Sequence, residues 1–322
     1  MKRILNALLR KAMWPARRFF DPRFAALQNL IAAEVATRTE ALELTGRALH
    51  ELLGRAEEAE RALARLTLGF PEIREEWLDR ATSGTVEDID DSLARILNYA
   101  ASHTGFAAQA HLWFNPPVLV MYAPRHVFLA HVNERICEVP YAFRALAGVG
   151  PGARVLDVGA TESTLCLSLA SLGYQVTAVD PRPNPLTHPL LHVVVGQIDE
   201  LEEAPFDAVM CVSTIEHIGL AAYEQPGEDG RADLAAMRRI RELTKPGGLL
   251  VLTVPYGPAK VDEQSRRYDA AGLEELLGGW LVEDRTFVAH RDPVTWVAAD
   301  HPPDGGEGEE EAVALVTARR ES

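Results

Sequence analysis

Val155-Leu156-Asp157-Val158-Gly159-Ala160-Thr161-Glu162-Ser163-Thr164 is the stretch on which the reading of this chain turns. An aliphatic run long enough for one buried strand passes into small residues, and the apolar spacing over 165–172 then predicts a helix. Gly173 closes that helix, and 175–179 reads as the next strand with Asp180 at its end. The segments 192–195, 206–212, 249–254 and 312–318 read as further strands, with helices over 233–243 and 270–277. Strands that alternate with helices imply an α/β, doubly wound and mostly parallel sheet covered on both faces. Such a sheet binds its ligand beyond the carboxyl ends of the strands, where strand order reverses.

The residues at those ends suit an adenosyl group. Gly159, Ala160 and Ser163 are small enough for a ligand to approach the backbone. Asp180, 23 residues after Asp157, can accept from two ribose hydroxyls, and Ile198-Asp199 ends the third strand where an adenine amino group would need an acceptor. A dinucleotide is disfavoured: it needs a glycine-rich pyrophosphate turn, and the second and third glycine positions hold Thr161 and Thr164.

With Asp157, Gly159, Thr161 and Ser163 in the pattern acid-x-Gly-x-Gly-x-Gly, the chain resembles the class I (Rossmann-like) S-adenosylmethionine-dependent methyltransferases over residues 133–320. Thr244-Lys245-Pro246-Gly247-Gly248, followed by an aliphatic strand, is a companion motif. Two of the motif's three glycines are small hydroxyl residues here. The resemblance implies a seven-stranded sheet and S-adenosylmethionine bound by Asp157, Gly159, Ala160, Glu162, Ser163, Asp180, Ile198, Asp199 and Ser213. A finer likeness lies in 133–144 and 212–219, which look like methyltransferases that build polysaccharides or decorate glycosides. It implies that Asn133 and Arg135 face a saccharide acceptor.

His217, just past the fourth strand, is the candidate base. An imidazole that titrates near neutrality can take the proton of a hydroxyl as it attacks a methyl group. Glu216 could orient it, or the two could ligate a divalent metal, which the sequence does not favour. Tyr256, Arg267 and Tyr268 suit a sugar or carboxylate-bearing acceptor through stacking and fork hydrogen bonds. Asp269 is placed to cap the helix over 270–277.

Charge is unevenly spread. The chain has 322 residues and a formal charge of −15, which argues against a general nucleic-acid binder. Residues 1–20 nevertheless hold six of the 32 basic groups and none of the 47 acidic ones, on a helix whose other face is Ile4, Leu5, Leu8 and Leu9. A peripheral contact with an anionic membrane is one reading of that helix; packing on the protein's own acidic body is the other. From 24 to 66 a heptad places Leu42, Leu49, Ala56 and Leu63 on one seam position and Leu52, Ala59 and Leu66 on the other, which predicts a homo-oligomeric coiled coil. The expected organisation is a basic helix over 1–20, a coil over 21–80, a linker or lid over 81–132 and the methyltransferase domain over 133–322. No apolar run reaches membrane-spanning length, and three cysteines without CxxC spacing suggest a reducing, cytoplasmic setting. A second class of function is a catalytically silent scaffold that organises a biosynthetic complex through its coil.

Overall fold

The computed structural model describes residues 83–101, 115–221, 231–292, 294–299 and 312–321, with scattered positions between 38 and 80. The basic helix expected over 1–20, most of the heptad region and the acidic stretch 300–311 lie outside the described residues. No helix among the described residues is long and apolar enough to cross a membrane.

Eight strands form the central sheet. Its parallel part runs β5 (Leu191–Val195), β4 (Gln175–Asp180), β3 (Arg154–Val158), β6 (Phe206–Val212) and β7 (Thr244–Tyr256). Next to β7 lies β12 (Ala312–Arg320), antiparallel, followed by β10 (Trp280–Asp292) and the edge strand β11 (Thr295–Ala299). The switch in strand order therefore falls at β3, between β4 and β6. This is the doubly wound, mostly parallel arrangement expected from the sequence, with one strand more than the seven that the resemblance implies. The extra strand, β11, is a hairpin return of β10. Neither β10 nor β11 was visible as a strand in the sequence, because Glu283, Asp284 and Arg285 interrupt the apolar pattern of β10 where it is exposed.

The middle strands are buried on both faces, so alternate residues feed two cores. One face carries Leu156, Phe206, Val209 and Leu250 against α4 (Ala232–Leu243) and α5 (Ala270–Leu276). The other carries Val155, Met210, Leu249 and Val251 against α2 (Arg135–Leu146) and α3 (Leu165–Ser171). Each of these fully buried side chains contributes about 1.5–3 kcal/mol relative to exposure. Asp269 caps α5 as expected, accepting from the Gly272 amide at 2.8 Å.

Ahead of the sheet, α1 (Asp91–Ala101) packs on a separate hairpin of β1 (Val118–Ala123) and β2 (His126–Val132). Asn98 joins the two like a strand would, bonding the Tyr122 carbonyl and amide at 3.1 and 2.6 Å. Of the two forms that the apolar stretch over 106–132 allows, a short hairpin or a lid, its described part contains the hairpin. Behind it, Asn115 donates its amide to the carbonyl of Glu162 at 2.8 Å, which brings the chain across the loop after β3.

Candidate active site

The carboxyl ends of β3, β4 and β6 converge on a cavity of about 340 Å³. Gly159 turns out of β3 with φ +78°, and a Cβ there would meet the Thr214 side chain at 2.3 Å. Glycine is thus required twice, by conformation and by space. Thr214 sits so close because its hydroxyl bonds the carbonyls of Val158 and Val212, at 3.1 and 3.0 Å. Ser213, with φ 45°, makes the abrupt exit from β6.

Asp180 ends β4, 4% exposed. Its Oδ1 accepts from the Arg182 amide and Nε, its Oδ2 from the Thr161 amide and Arg182 Nη2. Arg182 Nη1 continues to Glu162 at 2.8 Å. Sequence reasoning missed Arg182; an arginine two residues past the acid expected to receive a ribose was the available signal.

Behind the wall lies a group of buried acids. Glu138 is fully buried on α2, and its Oε1 accepts from the hydroxyls of Ser213 and Thr253 at 2.6 Å each. Burial raises the pKa values of Glu138 and Glu216, and lifts Asp157 to about 7. Oδ2 of Asp157 and the Oε2 atoms of Glu138 and Glu216 have no hydrogen-bond partner among the described residues. The Arg135 guanidinium is the cation that opposes all three shifts. Arg135 is 7% exposed, lines the cavity, and leaves its own Nε without a hydrogen-bond partner among the described residues.

His217 ends a single 3-10 turn (Ile215–His217) and also lines the cavity. Its Nδ1 lies 2.5 Å from the Gln264 carbonyl oxygen, so Nδ1 carries the proton and donates it, and Nε2 keeps a lone pair. Nε2 stands 3.8 Å from Glu216 Oε1. Burial lowers the pKa of the imidazole from 6.5, which favours the neutral ring.

The structure brings together on the cavity wall Arg135, Gly159, Glu162, Asp180, Ile198, Asp199, Ser213 and His217. It places the other expected site residues elsewhere. Asp157 and Ala160 are buried behind the wall, and Glu216, 2% exposed, lies beneath His217. Ser163 serves the start of α3, accepting from the Leu165 amide at 2.9 Å. Asn133 is tied to Asn115 and the Pro116 carbonyl. Tyr256 packs on Phe287 with ring centres 4.6 Å apart, Tyr268 gives its hydroxyl to buried Asp233, and the stem of Arg267 lies over Gly257. These three were expected to face an acceptor; none of them lines the cavity, and the contacts above engage them instead. Among the described residues no group of three or more His, Cys, Asp or Glu is placed to hold a metal ion. The lining also includes Gln197, Thr214, Ile218 and Leu220, with Ala232, Ala235 and Ala236 from α4, none of which the sequence singled out.

Comparison with known proteins agrees with this geometry. Residues 128–287 match the family model of the methyltransferase domain. The chain is 34% identical over 162 residues to a ubiquinone biosynthesis O-methyltransferase of Xanthomonas campestris pv. campestris (strain B100), covering 46% of this chain and 58% of that protein. A protein of the same name from Maricaulis maris (strain MCS10) is 28% identical over 196 residues, 55% of this chain and 67% of that one. The chain thus spans little more than half the length of the Xanthomonas relative. Among solved structures, the 1,6-didemethyltoxoflavin-N1-methyltransferase of Burkholderia thailandensis aligns with a TM-score of 0.42 at 22% identity, over 58% of this chain and 79% of that one. Residues 128–287, just under half of the chain, thus match a methyltransferase-domain model, and the sheet order and the strand-end cavity agree with that likeness.

Proposed function

We propose that the chain is an S-adenosylmethionine-dependent O-methyltransferase in which His217 is the general base. The observation that carries this reading is a neutral, tautomer-fixed imidazole on the rim of a cavity whose opposite wall ends in Asp180. When bound, the cofactor supplies a sulfonium methyl group as electrophile. The residues present suit its polar groups: Asp180 is an acceptor for ribose hydroxyls, Asp199 for the adenine amino group. Arg135, with an unsatisfied buried nitrogen, is a partner for the methionyl carboxylate. Only Gly159 opens the loop after β3, so no phosphate cradle competes with this assignment. Most of the remaining catalytic work is positioning.

The acceptor in this reading is a hydroxyl compound that fits against Ile218 and Leu220. A saccharide acceptor loses the support of Tyr256, Arg267 and Tyr268, which do not line the cavity; the O-methyltransferase names of the relatives favour a hydroxylated aromatic instead. Titration calorimetry with S-adenosylmethionine, followed by mass spectrometry of products from phenolic and glycosidic acceptors, tests both parts. Absence of binding at millimolar cofactor would return the chain to the scaffold reading.

For the N-terminal region we propose self-association through the heptad over 24–66, with the basic helix over 1–20 as a peripheral contact for anionic membranes. A weak single anchor gains from being held in several copies. A chain beginning near residue 85 should be monomeric and release vesicles while it still binds cofactor; an unchanged oligomeric mass counts against the coil.

A further inference from the structure

The two-residue strands β8 (Lys260–Val261) and β9 (Arg266–Arg267) form a small hairpin beside the His217 turn. Arg266 from this hairpin is 3% exposed and donates Nη1 to the carbonyls of Ile218, at 2.6 Å, and Glu216, at 3.4 Å. Those are the residues on either side of His217. The hairpin also contributes the Gln264 carbonyl that accepts from the His217 ring. We propose that Arg266 is the positioning residue for His217: its guanidinium fixes the backbone on both sides of the imidazole while the Gln264 carbonyl fixes the ring. The inference rests on the reading of His217 as the base.

A single 3-10 turn needs such support. The Ile218 and Leu220 amides serve the Ile215 and His217 carbonyls, which leaves the Glu216 carbonyl to Arg266, and Thr214 at the start provides no side-chain cap. Both bonds come from Nη1, whose two hydrogens serve the two carbonyls while Nε faces Asp233; a lysine ammonium ends about where that Nε lies and falls short of them. Burying that cation is costly without a counter-charge, and Asp233 from α4 stands 3.9 Å from Arg266 Nε. Asp233 is itself held by the Tyr268 hydroxyl at 3.0 Å. Tyr268 in turn is pinned to the end of β7, through its amide to Pro255 and its carbonyl to Gly257, each at 3.0 Å. Turn, hairpin, α4 and β7 thus meet at Arg266. The charged groups that face the His217 ring are Glu216, Glu162, Arg182 and Arg135.

The test is Arg266→Lys in the full chain, with folding checked by circular dichroism. It keeps a charge opposite Asp233 and gives up the reach of Nη1 to the Glu216 and Ile218 carbonyls. We expect turnover to fall about 10–100-fold at an unchanged cofactor dissociation constant. The 15N signals of the His217 ring, a single Nδ1–H tautomer in the parent, should become a mixture. Wild-type turnover with an unchanged ring signal overturns the proposal. So does a loss of thermal stability with full turnover per folded molecule. Should the lysine variant not fold, Tyr268→Phe loosens Asp233 alone and must show the same tautomer mixture, or the proposal fails. If His217→Ala keeps the parent rate, it is the base reading that falls, and the ring signal still reports whether Arg266 positions the histidine.

Discussion

Arg182 lies on Asp180, its Nε 3.1 Å from Oδ1 and its Nη2 3.2 Å from Oδ2, with the Arg182 amide adding a third bond from the same residue. Under the proposed function Asp180 receives the ribose, yet this acid is already engaged by a side chain that lines the same cavity. In that reading the ribose shares or displaces the guanidinium. Arg182→Ala should tighten cofactor binding about fivefold, the equivalent of roughly 1 kcal/mol for a partly solvated ion pair. Calorimetry decides it: weaker binding would assign Arg182 to the ligand itself.

His217→Ala should leave cofactor affinity nearly intact and lower turnover by about 10²–10⁴-fold, the usual contribution of a positioned base. Burial lowers the pKa of the imidazole below 6.5, so its neutral, competent form persists into mild acid. The rate should hold down to pH 6.5 and decline only below it, where the ring takes up a proton. An acid limb centred above 6.5 would point to another group.

Asp157 gives a pH-dependent stability. Its folded pKa is raised from 3.8 to about 7 by burial, so the folded state keeps a proton that the unfolded state has lost. Its contribution is fully present below pH 3.8 and is lost as pH rises toward 7. Asp157→Asn cannot ionise and escapes that loss. The melting temperature of the variant relative to the parent should therefore climb between these values. A constant difference across the range would show that Asp157 is charged throughout.

Gly159→Ala sets a methyl group 2.3 Å from Thr214 in a backbone conformation that L-residues disfavour. We expect a loss of about 2 kcal/mol or more in urea unfolding, since strain of this type alone costs about 1–3 kcal/mol. Combining it with Thr214→Ala should restore part of that loss by removing the collision. Additive losses in the double variant would count against the contact.

Glu138→Ala removes the shared acceptor of buried Thr253 and of Ser213 on the cavity wall. An orphaned buried donor costs about 1–3 kcal/mol and the cavity-wall hydroxyl adds less, so chemical denaturation should register roughly 2–4 kcal/mol. Glu138→Gln keeps an acceptor oxygen and should cost far less. Equal losses for the two variants would show that volume, not the hydrogen bonds, matters there.

The sequence alone determined the parallel α/β sheet and the three strand ends. A buried strand needs an aliphatic run, a helix needs its own period, and the residues after each run are local in the chain. Gly159, Asp180, Asp199, Ser213 and His217 were legible for that reason, and so was the Asp269 cap. What tertiary structure decided is which side chains those ends face. Tyr256 and Tyr268 follow β7 as an acceptor site requires, yet Phe287 and Asp233, 31 and 35 residues away in the chain, draw them into packing. Arg182 closing on Asp180 depends on the turn after β4, and Arg266 reaching the two sides of His217 depends on a hairpin 50 residues downstream. A side chain's direction is fixed by whichever buried partner completes its hydrogen bonds, and such partners come from elements that meet only when the sheet is assembled.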